Sequence, residues 1–246
     1  MEITELNPKI VWKYFHEITQ VPRPSKKEGK IIAYLEKFAK EHGIEYKKDH
    51  VGNIVMSKPA TPGYEDRVKL ILQSHVDMVC EKNAGTEHDF DNDPIRTIVD
   101  GEWLHADGTT LGADNGIGCA AQLAILASDD IEHGPIEALF TIDEEVGMVG
   151  ANGLQPGFSK GDILINLDSE DEGLLFAGCA GGVDVNVRLE YKDQEPLPEG
   201  DIAVRIALTG LRGGHSGMDI ILGRANANKL LARFLKEAIA GYGARL

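Results

Sequence analysis

Three apolar runs that each end in metal-ligating or proton-transferring groups constrain this chain more than any other feature. They cover residues 68–77, VKLILQSHVD, residues 138–145, ALFTIDEE, and residues 163–168, ILINLD. Each run is short, apolar and bounded by polar residues, which predicts a buried strand. Because ligands gather at the carboxyl ends of the strands in open α/β sheets, we expect the ends of the three runs to meet at one site.

A fourth segment, residues 109–118, lies between the first two runs and reads TTLGADNGIG. Its glycines suit a tight loop. Asp114 stands just before apolar residues at helical spacing, which predict a helix from Gly116 to about Ser128. Its carboxylate is therefore expected to cap the start of that helix.

The residue types at these ends indicate a metal site. The set contains one imidazole and three carboxylates: His75, Asp114, Glu145 and Asp168. Carboxylates beside apolar strands are costly to bury unless they are hydrogen-bonded, paired or bound to a cation. The set is too rich in oxygen for a structural zinc finger but suits two divalent ions bridged by one carboxylate, for which Asp114 is the natural candidate. Taken singly, a strand-end Asp is usually a turn former and a lone His a satisfied polar residue, so the coincidence of four carries the interpretation.

The composition excludes several classes of partner. The 40 acidic and 25 basic residues give a net charge of -15, which argues against a nucleic-acid or anionic membrane partner, because both require a basic patch. No apolar stretch reaches the ~18 residues that span a membrane, and no secretion signal is visible. Three cysteines without framework spacing, Cys80, Cys119 and Cys179, indicate reduced thiols and a cytoplasmic location.

Two helices are predicted before the first run. Residues 8–19 have the apolar spacing of a short amphipathic helix. Ser25 and Glu28 have the spacing of a capping box, which predicts that a second helix opens there and ends near Gly43.

The strands and helices alternate along the first part of the chain. Residues 52–56 and 68–72 are predicted to be neighbouring strands joined by the loop 59–63, and another strand is expected at 138–142. The order of strand, loop, helix and strand predicts an α/β fold.

The pattern changes close to residue 182, where we place a domain boundary. Residues 183–189 and 202–208 alternate between apolar and polar side chains, which predicts two half-exposed strands joined by a hairpin loop. A long amphipathic helix is expected from about 220 to 240. Two strands and one helix are too little to bury both faces of a sheet.

Together these motifs resemble the co-catalytic zinc peptidases, a family that includes aminoacylase, carnosinase and bacterial di- and tripeptidases. The resemblance rests on HVD at 75–77, LGADNG at 111–116, DEEVG at 143–147 and NLDSE at 166–170, supported by VPRPS at 21–25, QSHVDMV at 73–79 and GGHSG at 213–217. It covers essentially the whole chain but only the N-terminal half of the family's usual length. It implies a three-layer αβα catalytic domain with a mixed sheet over 1–182 and the first part of an α+β lid and dimerisation domain over 183–246.

The resemblance also implies a ligand set. His75 and Asp168 would each bind one of two zinc ions, Asp114 would bridge them, and Glu145 would complete the coordination. Co²⁺ or Mn²⁺ are possible substitutes for zinc in such sites.

Three further residues receive roles from the resemblance. Glu144 would be the general base that moves a proton from water to the leaving amine. Asp77 would orient the His75 imidazole. His215 would approach the substrate from the lid, often across a homodimer, although it also fits a polar residue in a Gly-rich loop.

The implied activity is hydrolysis of Xaa-His or other unblocked dipeptides. The family's remaining metal ligand is a histidine beyond the point where this sequence stops, so we expect at most one tightly bound zinc ion and little peptidase activity from residues 1–246. Two alternatives stay open: a non-catalytic fragment that binds metal or serves in assembly, and an aminoacylase or N-deacylase, because metal-activated water is common to amide hydrolysis.

Overall fold

The computed structural model describes residues 2–179, 181, 183, 185–190, 192, 196, 198–214 and 219–245. The chain divides into two compact units, residues 1–180 and residues 181–246. The assignment of a catalytic domain to 1–182 and of a lid and dimerisation domain to 183–246 stays a prediction.

The described residues form seven strands and five α-helices. The strands are β1 Glu45–Lys48, β2 Ile54–Lys58, β3 Leu70–His75, β4 Thr97–Asp100, β5 Trp103–Ala106, β6 Ile136–Thr141 and β7 Ile163–Asn166. The helices are α1 Lys9–Thr19, α2 Gly29–Glu41, α3 Ala113–Ala127, α4 Val149–Gly153 and α5 Ala227–Tyr242.

Five strands of the first unit form one mixed sheet in the order β1-β2-β6-β3-β7. β1 and β2 pair antiparallel, as do β2 and β6, whereas β6, β3 and β7 run parallel. The sheet and its helices confirm the predicted α/β class. Because His75 pairs with Thr141 and Gln73 with Asn166, the carboxyl ends of the three apolar runs lie side by side.

The expectation that β2 and β3 are neighbours is wrong, because β6 lies between them and pairs with both. Every residue of β6 is buried, so this strand occupies the most enclosed position of the sheet. Local patterns carry no information about the order of strands that are distant in the chain, and β6 begins about sixty residues after β3.

A single large core joins the sheet to the first helices. Its fully buried members come from α1, α2, α3 and the central strands, and include Phe15, Leu35, Leu123 and Phe140. The predicted helix at 8–19 is confirmed as α1, whose apolar face holds Phe15 in this core. The remaining strands, β4 and β5, form a separate antiparallel hairpin.

The predicted capping box before α2 is wrong. The helix begins at Gly29, and no side-chain hydrogen bond caps it. Ser25 donates its hydroxyl to Asp77 Oδ2 at 2.7 Å, and Glu28 Oε1 accepts from the backbone N–H of Asp143 at 3.1 Å. Both side chains satisfy buried groups of other segments, which compete with the helix end for the same polar atoms.

The start of α3 agrees with the predicted helix from Gly116. The element spans Ala113–Ala127, but its regular helical turns begin after Asn115, so Asp114 stands just before them. Asp114 and Asn115 have non-helical φ and ψ angles, and Gly112 before them has a φ of 69°. These angles turn the backbone where the Asp114 carboxylate approaches His75.

The prediction of a buried strand is wrong for β7. The side chains of Ile163, Leu164 and Ile165 are 50%, 53% and 38% exposed. β7 stands at the edge of the sheet and pairs with β3 on one side. An apolar run alone does not distinguish a central strand from an edge strand.

The second unit contains a short 3₁₀ turn at Ile220–Leu222 and helix α5. The described residues within 183–189 and 202–208 are not in strands, so the predicted hairpin is wrong for them. Valines 183, 185 and 187 are each more than three-quarters exposed, and a two-stranded hairpin without a covered apolar face is marginal. The predicted helix starts later than expected, where Asn226 accepts a hydrogen bond from the N–H of Lys229. His215 lies outside the described residues.

None of the helices in the described part of the chain has the length and apolar character needed to cross a membrane.

Candidate metal centre

His75 stands at the end of β3 with its side chain almost fully buried. Its Nε2 atom lies 2.9 Å from Asp114 Oδ1, 3.5 Å from Asp168 Oδ1 and 3.9 Å from Glu144 Oε2. Asp114 comes from the start of α3, Glu144 from the segment after β6, and Asp168 from the segment after β7. The prediction that these ends meet is therefore confirmed by the sheet geometry.

The ligand atoms fall into two groups that could each hold an ion. One contains His75, Asp114 and Asp168, the other His75, Glu144 and Glu145, and within each group the atoms lie within 4.8 Å of one another. His75 is common to both groups, whereas the sequence assigned the shared position to Asp114. The role of each ligand stays a prediction.

Asp77 joins the imidazole to the acidic pair after β6. Asp77 Oδ1 lies 3.3 Å from His75 Nδ1 and accepts from the N–H of Glu144 at 3.0 Å. Its Oδ2 accepts from the N–H of Glu145 at 3.2 Å and from the Ser25 hydroxyl. Burial opposes the charge of this carboxylate, but His75, the Glu144 N–H and Ser25 hold its pKa at about 2. Asp77 is thus a fixed acceptor that selects the orientation of the ring.

The pKa values show how strongly the negative charges are crowded. Burial lowers the pKa of His75, but hydrogen bonds to Asp114, Asp168 and Asp77 together raise it to about 12. Burial and then the charge of Asp114 raise the pKa of Glu145 to about 7. Burial also raises the pKa of Glu144. One imidazole nitrogen surrounded by several carboxylate oxygens fits a divalent cation, which would relieve this repulsion.

Asn115 positions Asp168, and sequence reasoning missed it. Its side-chain amide donates to Asp168 Oδ1 at 2.6 Å, while its own Oδ1 is buried without a hydrogen-bond partner among the described residues. A Cβ on Gly118 would lie 2.0 Å from that oxygen, so the glycine makes room for the amide. The only available signal was its place next to Asp114.

Asn53 holds the segment that carries Glu144 and Glu145, and it was also missed. Its Oδ1 accepts from the N–H of Ile142 at 3.2 Å, and its Nδ2 donates to the carbonyl of Gly150 at 2.8 Å. Asp49 fixes Asn53 in turn by accepting from its Nδ2 and from its backbone N–H. A single buried amide therefore fixes both ends of the acidic segment.

A third acidic group lies beneath the site and consists of Glu28, Asp77 and Asp143, all buried. Burial raises the pKa values of Glu28 and Asp143. Backbone N–H groups and Ser25 donate to Glu28 Oε1 and to both carboxylate oxygens of Asp77, whereas Asp143 Oδ1 is buried without a hydrogen-bond partner among the described residues. Through these hydrogen bonds the group supports the segment before Glu144.

The chain belongs to peptidase family M20/M25/M40, whose sequence model matches residues 71–218. Metal dependence is a property of that family, and the described residues supply suitable ligand groups.

Particular relatives narrow the resemblance to dipeptidases. The chain is 50% identical to the cytosol non-specific dipeptidase of Escherichia coli (strain K12) over 234 residues, 95% of this chain and 48% of the relative. The crystal structure of aminoacylhistidine dipeptidase from Vibrio alginolyticus matches with 47% identity and a TM-score of 0.73 over 99% of this chain and 49% of that one.

A tripeptidase from Staphylococcus aureus matches more distantly, with 26% identity and a TM-score of 0.56 over 67% of this chain and 44% of that one. The chain spans about half the length of these relatives. The resemblance inferred from the motifs, including their similarity to dipeptidases of the Xaa-His type, is confirmed.

Proposed function

We propose that this chain carries the metal-binding half of a zinc dipeptidase that hydrolyses Xaa-His or other unblocked dipeptides. The observation that carries the proposal is the convergence of Asp114, Asp168 and Glu144 on the single Nε2 atom of His75. The names of the dipeptidase relatives support the substrate class. The relative named as a cytosol enzyme supports a cytoplasmic location.

The proposed ligands are His75, Asp114, Glu145 and Asp168, with Asp114 in the bridging position. Their nitrogen and oxygen donors suit zinc, with Co²⁺ and Mn²⁺ as substitutes. Zinc bound there would supply Lewis acidity and lower the pKa of a bound water. Asn115 would keep Asp168 directed at the site through its 2.6 Å hydrogen bond.

Glu144 is the proposed general base. Its side chain is 32% exposed, so solvent and substrate can reach it, and its backbone N–H is held by Asp77. Burial raises the pKa of its carboxyl from the ordinary value of Glu, which is the direction that suits a general base. Glu144 takes a proton from the attacking water and delivers it to the leaving amine.

Two proposed roles concern positioning and substrate binding. Asp77 faces His75 Nδ1 and so keeps Nε2 directed at the carboxylates. His215, which lies outside the described residues, is proposed to contact the substrate, and residues 183–246 are proposed to form a homodimer contact.

The test combines metal analysis with hydrolysis of Gly-His by the purified chain in the presence of added zinc. Asp168→Asn should lower the metal content, whereas Glu137→Gln, which changes a buried carboxylate at the opposite end of β6, should not. Bound metal with dipeptide turnover supports the proposal, even where turnover is as weak as expected of residues 1–246. Metal without turnover favours a non-catalytic metal-binding fragment, cleavage of an N-acetyl amino acid in place of Gly-His favours an aminoacylase, and the absence of bound metal contradicts the proposed site.

A further inference from the structure

Arg23 is a buried arginine whose guanidinium contacts backbone carbonyls of two segments of the metal centre. In the sequence, Arg23 lies between α1 and α2, and in the structure it is only 2% exposed. Nη1 donates to the carbonyl oxygens of Val76 at 2.9 Å and Asp77 at 3.0 Å, and Nη2 donates to the carbonyl oxygen of Gly112. One rigid group thus joins the end of β3 to the loop before α3.

These two segments carry groups whose separation defines the centre. The first ends in His75 and Asp77, and the second leads into Asp114. His75 Nε2 and Asp114 Oδ1 lie 2.9 Å apart. The guanidinium joins the same two segments through their backbone carbonyls. The main chain of Arg23 adds a further link, because its carbonyl accepts from the N–H of Met78 at 3.2 Å.

The loop before α3 is shaped around the guanidinium. A Cβ on Gly112 would lie 2.5 Å from Arg23 Nη2, and one on Gly116 would lie 2.7 Å from the same atom. Gly112 also has a φ of 69°, in the left-handed region that favours glycine. Two glycines of the loop therefore leave the space that the arginine fills.

The hydrogen bonds of Arg23 to carbonyls leave the carboxylates of the centre directed at other partners. Burial lowers the pKa of Arg23, while the charges of Cys119, Asp77 and Asp114 act in the opposite direction. A buried cation beside acidic ligands usually pairs with one of them. Here the guanidinium donates to backbone carbonyls of the segments that carry the proposed ligands, so it can fix those segments through their main chain.

We propose that Arg23 is a positioning residue that sets the separation of the His75 and Asp114 segments and thereby the metal affinity of the centre. This inference rests on the proposed function, because it takes His75 and Asp114 as ligands. A lysine cannot replace the arginine fully, since a single ammonium group lacks the planar fork that reaches three carbonyls in fixed directions.

The experiment compares Arg23→Met, Arg23→Lys and a matched control, Lys58→Met, in the whole chain. Lys58 also donates to two carbonyls, those of Ile125 at 2.9 Å and Ser128, but at the far end of α3. Cobalt affinity and the Co²⁺ absorption spectrum are measured by titration. Hydrogen exchange of the metal-free proteins is followed by mass spectrometry in peptides covering 75–78 and 110–116.

Arg23→Met should weaken Co²⁺ binding about 10- to 100-fold, as loss of an outer partner of a ligand does, and should alter the spectrum. Arg23→Lys should restore part of the affinity, and Lys58→Met should leave both affinity and spectrum at the wild-type values. In the metal-free state both peptides should exchange faster in Arg23→Met but not in Lys58→Met.

A Co²⁺ affinity for Arg23→Met or Arg23→Lys no weaker than that of Lys58→Met would overturn the inference. If Arg23→Met does not fold, Arg23→Lys decides by the same two measurements. If the wild-type chain binds no Co²⁺, the proposed function fails. Hydrogen exchange of the metal-free variants then still decides the positioning, because unchanged exchange at 75–78 and 110–116 contradicts it.

Discussion

Carboxylates lie at both ends of strand β6, but their surroundings are opposite at the two ends. At the amino end, Glu137 is 2% exposed and accepts from Lys69 Nζ at 2.6 Å, from Ser159 Oγ at 2.6 Å and from the N–H of Lys160 at 2.7 Å. At the carboxyl end, the carboxylates of Asp114, Asp168 and Glu144 have His75 as their common ion-pair partner.

The pKa directions express this difference. Burial opposes ionisation of Glu137, but Lys69, Ser159 and the Lys160 N–H lower its pKa below the usual value. At the other end, burial and neighbouring carboxylates raise the pKa values of Glu144 and Glu145. A buried acid with its own cation and donors stabilises the fold, whereas acids that crowd around one imidazole are arranged for a ligand that carries positive charge.

Replacing the proposed base at the carboxyl end should have the largest effect. In any active, full-length context, Glu144→Gln should lower dipeptide turnover about 10²-fold or more, because it removes the proton acceptor, while the metal content stays close to that of the wild type. Turnover and metal analysis are measured on the same preparations. A metal-free Glu144→Gln protein together with a metal-loaded Glu145→Gln protein would show that the roles of the two residues are reversed.

Zinc should stabilise the carboxyl end and leave the amino end unaffected. At a free zinc concentration of 100 Kd, the free energy of unfolding should rise by about 2.7 kcal/mol, measured by urea denaturation. Asp168→Asn should reduce this gain, since it weakens a ligand, and Glu137→Gln should keep it. An equal gain in wild-type and Asp168→Asn protein would contradict the contrast between the two ends.

Removing the cation at the amino end should cost stability without affecting metal. Lys69→Met leaves the buried Glu137 with fewer partners and should lower the free energy of unfolding by about 2 kcal/mol in urea. Lys48→Met is the control, because the solvent-exposed Lys48–Glu36 pair should contribute much less to stability than the partly buried Lys69–Glu137 pair. Similar losses in the two variants would mean that burial adds nothing to the Lys69–Glu137 interaction.

The smallest expected effect is the acid dependence of the amino end. The folded pKa of Glu137 lies below its ordinary value of 4.5, so its stabilisation is present above that pH and is lost as the pH falls through the folded pKa. Urea unfolding at a series of pH values from neutral downwards should therefore show a weaker acid-induced loss in Glu137→Gln than in the wild type. Parallel curves for the two proteins would remove Glu137 as a source of acid sensitivity.

The sequence predicted the meeting of the strand ends better than it predicted the order of the strands. His75, Asp114 and Asp168 were identifiable as neighbours because their side chains follow apolar runs or a Gly-rich turn. Such positions meet at the carboxyl ends of the strands in an α/β sheet. The order of the strands was not identifiable, because the insertion of β6 between β2 and β3 depends on pairing over long distances. The alternating pattern at 183–189 likewise failed, since alternation forms a strand only with a partner.

The supporting residues were missed for a common physical reason. The backbone atoms that Arg23 contacts are separated from it by 53, 54 and 89 positions in the sequence. Those that Asn53 contacts are separated from it by 89 and 97 positions. Their partners are backbone atoms, which every residue possesses, so no side-chain type at the partner position signals the contact. Ser25 and Glu28 show the converse, because a local motif suggested a helix cap while distant groups use the same atoms.

The two hydrogen bonds of the Asn53 side chain suggest that the acidic segment between Ile142 and Gly150 can be exchanged by protein engineering. Both contacts use main-chain atoms of the segment, the N–H of Ile142 and the carbonyl of Gly150, and Gly150 must stay small because a Cβ there would lie 2.5 Å from Asn53 Oδ1. A segment of equal length from another member of the family that keeps this glycine can therefore be grafted onto the same two anchors. Libraries that vary the residues between the anchors would leave the strands beneath them unchanged.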